Sequence, residues 1–175
     1  MTKRIYLLLF FACICTLAIA QKNKDFILTL SKDTIFGKVS ISPESAHITF
    51  QHKRKKLYFH AKTLNAFGIY NKKDGYKYYK SIKNGLGNSI FVEILDEGPF
   101  IKLYKYAKRE KIENNYHTRN LYYIGRSDKK LSTITPASYE HAMRVLVKDH
   151  PDLLTEIERI SYKEVPNIVA SLNEQ

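Results

Sequence analysis

The densest concentration of positive charge in the chain is a run of four basic residues: Lys53, Arg54, Lys55 and Lys56. Ammonium and guanidinium groups bind phosphate oxygens, so the run predicts an anion-binding site. The same four residues are also compatible with a solvated hairpin tip, or with a charged edge strand that deters aggregation.

Three histidines lie near this run, namely His47, His52 and His60. Imidazole is a common ligand of zinc, and three of them could complete a site. However, no two of these histidines are spaced i, i+2, the spacing that places two side chains on one face of a strand. We therefore predict surface histidines on a hairpin, with no metal and no cofactor.

Tyrosines alternate with lysines in a second segment, where Tyr76, Tyr78 and Tyr79 accompany Lys77 and Lys80. Aromatic and basic side chains together can stack on bases or sugars, so the three tyrosines are a candidate aromatic surface. Tyrosine is also favoured in strands, where cross-strand packing explains it without a ligand. We expect no nucleic-acid partner.

Sequence motifs of enzymatic catalysis are absent: there is no G-x-S-x-G, H-E-x-x-H, P-loop or G-x-G-x-x-G. Asp96 and Glu97 are adjacent carboxylates, but neighbouring strand residues point to opposite faces and cannot share acid–base work. The sequence therefore favours a non-enzymatic protein. A hydrolase of envelope polymers remains an alternative, and its site would be assembled from distant residues.

The elements that must position these residues are mostly strands, because side chains alternate with period two from Asp25 to Ile124. One strand is predicted over residues 34–41, with a bulge or a close backbone approach at Gly37. Asp74 and Gly75 predict a hairpin turn, and residues 108–116 predict a polar loop. The pattern predicts about eight or nine strands, joined by short turns and therefore antiparallel.

After Ile134 the apolar period changes to 3.6 residues. Thr135 and Pro136 predict a helix start, and the following apolar positions form a stripe: Tyr139, Ala142, Met143, Leu146 and Val147. Further helices are predicted from Pro151 and near Pro166, with a fraying tail from Asn173. The expected fold is α+β: an antiparallel sheet at 21–134, either barrel-like or a sandwich, and two or three packed helices at 135–175, in one domain.

The first twenty residues predict export. Lys3 and Arg4 precede an apolar run over residues 5–17 and an Ala18-Ile19-Ala20 cleavage site, which together are typical of a signal peptide. We expect cleavage after Ala20 and a periplasmic, outer-membrane-associated or secreted protein without a later membrane-spanning segment. An uncleaved anchor and lipidation at Cys13 or Cys15 are the alternatives.

Composition supports a basic, disulfide-free mature protein. The chain holds 29 Lys and Arg against 17 Asp and Glu, and the signal contains two basic residues and no acidic one. The mature balance is therefore 27 − 17 = +10. Both cysteines fall within the predicted signal, which leaves packing to stabilise the fold. The charge predicts contact with anionic envelope components.

Residues 26–38 resemble the opening of a group of uncharacterised exported proteins common in Bacteroidota, whose first hairpin reads Asp-Thr-Ile-x-Gly. Asp33, Thr34, Ile35 and Gly37 match that pattern. The C-terminal part is similar as well, through the step Pro151-Asp152-Leu153 and the pair Ile168-Val169. It departs from the group at His150, where many members have Cys, and at Leu172, where many have Tyr. The resemblance implies a Gram-negative envelope setting and no established activity.

Together these observations predict an exported cell-envelope protein with a basic surface, which binds an anionic envelope component or another envelope protein. Because antiparallel strands followed by a helix also occur in ligand-holding barrels, a binder of a small apolar or lipidic ligand is the second hypothesis. The envelope-polymer hydrolase is the third.

Overall fold

The computed structural model describes residues 24–41, 46–113, 115–126, 130–149, 157, 159 and 161–174. The predicted signal peptide, the predicted chain break at residues 42–45 and the start of the helix predicted from Pro151 lie outside the described residues. In the described part the chain forms eleven strands, two α-helices and two short 3₁₀ turns.

The strands are β1 Phe26–Leu28, β2 Thr34–Phe36, β3 Lys38–Ile41, β4 His47–His52, β5 Lys55–His60, β6 Ala66–Asn71, β7 Gly75–Lys83, β8 Ser89–Glu97, β9 Ile101–Ile112, β10 Asn115–Arg126 and β11 Ser132–Ile134. The helices are α1 Tyr139–Leu146 and α2 Val165–Glu174, and the 3₁₀ turns are Ala61–Thr63 and Tyr162–Glu164.

The strands form two antiparallel sheets. The larger has the order β11-β10-β9-β8-β7-β6-β1-β2, and the smaller has the order β3-β4-β5. The α+β prediction with antiparallel strands is confirmed. The barrel-like alternative is wrong, because in the described residues the larger sheet ends in two edge strands, β2 and β11, and does not close. The count of eight or nine strands is too low, and the described helices number two.

Gly37 divides the strand predicted over residues 34–41 into β2 and β3, which belong to different sheets. A Cβ atom at this position would lie 2.5 Å from the backbone oxygen of Gln51 and from the Phe50 ring. The close approach predicted from the sequence is therefore present, and it marks the point where the chain leaves the larger sheet. No other residue type fits there without displacement of β4.

The side chain of Asp25 links the two sheets beside this crossing. Its Oδ2 accepts a hydrogen bond from the backbone N–H of Val39 in β3 at 2.9 Å. Its Oδ1 accepts one from the N–H of Tyr70 in β6 at 2.8 Å. One carboxylate thus fixes the position of the small sheet relative to the large one.

The loop predicted at residues 108–116 is wrong, because β9 and β10 extend through it as a paired ribbon. Their pairing runs from Ile101 with Arg126 to Ile112 with Asn115. Charged and other polar residues dominate both faces of this ribbon, and its side chains are largely exposed. The apolar alternation that signals a strand is therefore missing, although the backbone ladder continues.

One face of the large sheet carries two apolar cores. The small sheet packs over its first half, where Phe50 and Ile48 meet Ile27, Phe67 and Phe91. The helices pack over its second half, in a core formed by Leu103, Tyr122, Ile124, Ile134, Met143, Val147, Ile157, Val165, Val169 and Leu172. The opposite face has a smaller cluster of Ile90, Val92, Tyr104 and Tyr123.

The helices differ from the prediction at both ends. Helix α1 begins at Tyr139 instead of Pro136, and residues 136–138 form a turn in which the Ser138 N–H donates to the Thr135 oxygen. The fraying predicted for residues 173–175 is wrong for Asn173 and Glu174, which belong to α2, whereas Gln175 lies outside the described residues. Asn173 lies in the last turn of α2, and its side chain bonds the β8–β9 connection. Among the described residues, no helix combines the length and the apolar character needed to cross a bilayer.

Candidate functional site

The outer face of the small sheet, which we call the basic face, is the candidate binding site. Side chains of a strand alternate between faces, so each strand of this sheet divides into inner and outer residues. Val39, Ile48 and Phe50 point inwards and are buried against the large sheet. The register then places eight residues on the basic face: Lys38, Ser40, His47, Thr49, Gln51, Lys56, Tyr58 and His60.

The residues of the basic face lie in rows across the three strands. Lys38 of β3 and Lys56 of β5 flank Gln51 of β4. Neighbouring strands are about 4.8 Å apart, so the two lysine backbones are separated by roughly 10 Å. Lysine side chains of this separation can reach one anion between them. None of the eight described strand residues of this face is acidic.

A second row supplies neutral hydrogen-bond donors. Ser40, Thr49 and Tyr58 lie side by side on β3, β4 and β5, and each carries a hydroxyl group. Tyr58 is 65% exposed, and the Lys56 Nζ lies 5.6 Å from the centroid of its ring. The two rows enclose a shallow hollow of about 280 Å³, lined by Lys38, Ser40, Thr49, Gln51 and Lys56.

On the rest of the described surface some basic residues are paired with carboxylates, and others, such as those of the β6–β7 turn, take part in none of the ion pairs. Lys105 pairs with Glu93 at 2.7 Å, and Lys108 pairs with Glu110 at 2.8 Å. In contrast, none of the ion pairs among the described residues involves Lys38 or Lys56. The lysines of the basic face therefore keep their charge available for an external anion.

The run Lys53, Arg54, Lys55 and Lys56 lies at one end of the basic face. Lys53 and Arg54 form the β4–β5 turn, where Lys53 has φ 54°. Alternation directs only Lys56 onto the basic face, while Lys55 belongs to the inner side of β5 and remains exposed. The structure thus separates the predicted group of four and adds Lys38, which no pattern in the sequence singles out.

The three histidines also divide between faces. His47 and His60 pair across β4 and β5 on the basic face, with ring centroids 6.0 Å apart. His52 points inwards, and its Nδ1 lies 2.9 Å from the Phe36 oxygen. Across the described residues, no three His, Cys, Asp or Glu side chains are grouped closely enough to hold a metal ion.

The predicted aromatic surface is split by the same alternation. Tyr79 stacks on Phe67 in the core at 4.7 Å, and burial, assisted by the nearby Glu93 carboxylate, raises the pKa of its phenol to about 12. Tyr76 and Tyr78 lie on the other face of the large sheet, next to the Phe26 ring. Only Tyr78 of the three is strongly exposed, so this group offers little stacking area.

The adjacent carboxylates Asp96 and Glu97 have separate structural partners. The Oδ1 of Asp96 accepts from the Asn173 amide at 2.7 Å, while Glu97 accepts from Lys80 and from the Tyr104 hydroxyl on the opposite face. Burial acts to raise the pKa of the Glu97 carboxyl, but the bonds from Lys80 and Tyr104 outweigh it and lower that pKa. Each carboxylate is fixed by protein donors, an arrangement that suits stability more than acid–base chemistry.

The fold and the basic face define a class of protein: an antiparallel α+β domain that presents a cationic strand surface. Comparison with models of protein families gave no match, and neither curated proteins nor solved structures gave a significant match. Function must therefore be inferred from the residues of the chain itself.

Proposed function

We propose that the protein is a non-enzymatic, exported binding domain of the cell envelope, and that its basic face binds phosphate groups of anionic envelope components. The observation that carries the proposal is the pair Lys38 and Lys56, which flank Gln51 on a sheet face whose described strand residues include no acidic one. The N-terminal pattern typical of a signal peptide supports the envelope setting. The similarity to exported proteins of Bacteroidota supports the same setting.

Phosphate suits this face because its oxygens accept several hydrogen bonds and carry negative charge. The lysines supply charge, and the hydroxyls of Ser40, Thr49 and Tyr58 supply neutral donors in the next row. The overall positive charge of the chain attracts anionic surfaces over longer distances. A flat, exposed sheet face also suits a surface or a polymer better than a small enclosed molecule.

The barrel-type ligand binder and the envelope-polymer hydrolase receive less support. A ligand in the lumen of a barrel requires a closed sheet, whereas the large sheet has the two edges β2 and β11. A hydrolase with Asp96 and Glu97 requires free carboxylates, whereas each of these accepts hydrogen bonds from neighbouring side chains.

The proposal is tested by co-sedimentation of the purified protein with lipid vesicles. Phosphatidylcholine vesicles serve as the zwitterionic baseline, and vesicles with added phosphatidylglycerol or added lipopolysaccharide compare two sources of phosphate. A lysine near an anionic surface contributes about 1 kcal/mol, so K38Q/K56Q should lower the partition coefficient roughly 30-fold. The loss should diminish as salt is raised, since the interaction is electrostatic.

The matched control is K72Q/K73Q, which removes two charges from the exposed β6–β7 turn. Its partition coefficient should fall much less, because these lysines lie outside the basic face. An equal loss in both double variants would show that net charge alone causes retention, and the proposal would then be wrong. Unchanged retention of K38Q/K56Q at moderate salt would also contradict it.

The complete basic run makes a further comparison. Replacing Lys53, Arg54, Lys55 and Lys56 together with Gln should weaken retention as well, since Lys56 is among them and the other three lie at the rim of the basic face. Because Lys38 is not among these four residues, adding K38Q to the fourfold variant should lower vesicle retention further.

A further inference from the structure

A second hollow lies at the other end of the large sheet, between α1 and the ends of β10 and β11. Its volume is about 440 Å³, within the range of small-molecule pockets. Ile124 of β10 and Ala142, Val145 and Leu146 of α1 form its apolar wall. The basic face contributes no residue to this hollow, so the inference is independent of the proposed function.

Helix α1 carries one apolar residue, Val145, that takes no part in its contact with the core. Met143 and Val147 are fully buried beneath the helix. Val145 points away from that core and is 56% exposed, although it lines the hollow. Ala142 and Leu146 pack against the edge of the core, and Val145, three residues after Ala142, extends the apolar surface of the helix from this edge into the hollow.

Among the described residues that line the hollow, the charged or titratable ones are basic or imidazole groups. Arg126, Lys130, Lys148 and His141 belong to its lining, together with the hydroxyl residues Ser132, Thr133 and Ser138. No acidic residue occurs among the twelve that line it. Asp149 pairs with Arg126 at 3.1 Å, but it contributes to a neighbouring hollow instead. Lys130 and Lys148 take part in none of the ion pairs of the described residues.

An apolar wall with a cationic rim is complementary to a molecule that has an apolar chain and a negative head. We propose that this hollow binds a single-chain anionic amphiphile. The alkyl chain lies against Ala142, Val145 and Leu146, and the carboxylate or phosphate head lies near Lys130 and Lys148. Burial of Val145 by the chain supplies apolar contact, and the cations supply the preference for negative charge.

A smaller hollow lies next to this one, and we place the far end of the alkyl chain towards it. It has a volume of about 140 Å³ and is lined by Phe100, Ile101, Arg126, Leu146, Asp149 and Leu172. Arg126 and Leu146 line both spaces, so the two hollows adjoin at these residues. The affinity of the protein for the amphiphile should therefore rise with the length of the alkyl chain, by about fourfold for each methylene that is removed from water.

Isothermal titration of the purified protein with decanoate, below the concentration at which it forms micelles, tests the proposal. Decanoate should bind with a stoichiometry of one, and hexanoate should bind at least tenfold more weakly. Decyltrimethylammonium, which has the same chain and the opposite charge, should bind at least tenfold more weakly than decanoate. Absence of decanoate binding, or equal affinity for the two decyl compounds, would overturn the inference.

Two variants locate the binding. K130Q/K148Q should weaken decanoate binding at least tenfold, whereas K72Q/K73Q, with the same change in charge, should leave it unaltered. V145D places a carboxylate in the hollow at an exposed position, so the fold is retained while decanoate binding is lost. Circular dichroism verifies the fold of each variant. If well-folded V145D and K130Q/K148Q bind decanoate like the wild-type protein, the hollow is not the site.

Discussion

The side chain of Asn173 connects the C-terminal helix to the large sheet, and its removal gives the most direct test of that connection. Its Nδ2 donates to Asp96 at 2.7 Å and to the Ile101 oxygen at 2.9 Å. Its Oδ1 accepts from the Ile101 N–H at 3.0 Å and from the Phe100 N–H at 3.3 Å. Gly98 leaves space for this side chain, since a Cβ there would lie 2.1 Å from its Cγ.

The expected cost of N173A follows from these bonds. Three of the four are partly buried and short, while the bond from Phe100 is long and exposed. A hydrogen bond contributes about 1 kcal/mol net, and an unsatisfied buried partner adds to the loss. N173A should therefore lower the free energy of unfolding by about 2–3 kcal/mol, with an unchanged dependence on urea concentration.

N167A is the matched control, because Asn167 is exposed on the same helix. Both substitutions alter helix propensity in the same direction, so the difference between them isolates the tertiary hydrogen bonds. Urea unfolding, followed by circular dichroism and by tyrosine fluorescence, measures both free energies. If N173A and N167A differ by less than about 0.5 kcal/mol, the connection of α2 to the sheet does not stabilise the fold as described.

Three further predictions concern other contacts of the fold. G37A should lower the free energy of unfolding in urea by about 1–3 kcal/mol, because the new Cβ would meet the backbone oxygen of Gln51. The control G85A should leave that free energy nearly unchanged, because a Cβ at position 85 would lie in open space. D25A should lower the free energy of unfolding by about 2 kcal/mol, because it removes the two hydrogen bonds that link the sheets. The exposed control D74A should change it little, and equal losses in the two variants would contradict the link. The pKa of Glu97 is lowered on folding from the ordinary 4.5, so its carboxylate stabilises the protein above about pH 4.5 and the contribution disappears as the pH falls through the folded value. The stability difference between wild type and E97Q should therefore be largest near neutral pH and should shrink in acid, and a difference that is independent of pH would refute this account.

Local chemistry explains which parts of the fold the sequence predicts well. The Asp74-Gly75 turn is present, with Gly75 at φ 74°, because few residues other than glycine adopt that conformation readily. Gly37 is recognisable for a related reason, as a place where backbones meet. The ribbon at residues 108–116 is missed, because exposure on both faces removes the apolar alternation that reveals a strand.

The candidate site depends on information that a single sequence does not contain. Lys38 and Lys56 are eighteen positions apart, and they share a row only because β3 and β5 pair with β4 in this register. A shift of one residue in either pairing would move one lysine to the inner face. The hollow beside α1 likewise requires the packing angle of the helix, which apolar periodicity does not determine.

The central claim, that phosphate binds on the basic face, is tested most directly by a nuclear magnetic resonance titration of the isotope-labelled protein with tripolyphosphate. We expect saturable amide shifts at residues 38–40, 49–51 and 56–58, with little change at the lysine-bearing turn of residues 71–75. Shifts of equal size at both places, or shifts confined to the β9–β10 ribbon, would show that phosphate follows overall charge and that the basic face is not a binding site.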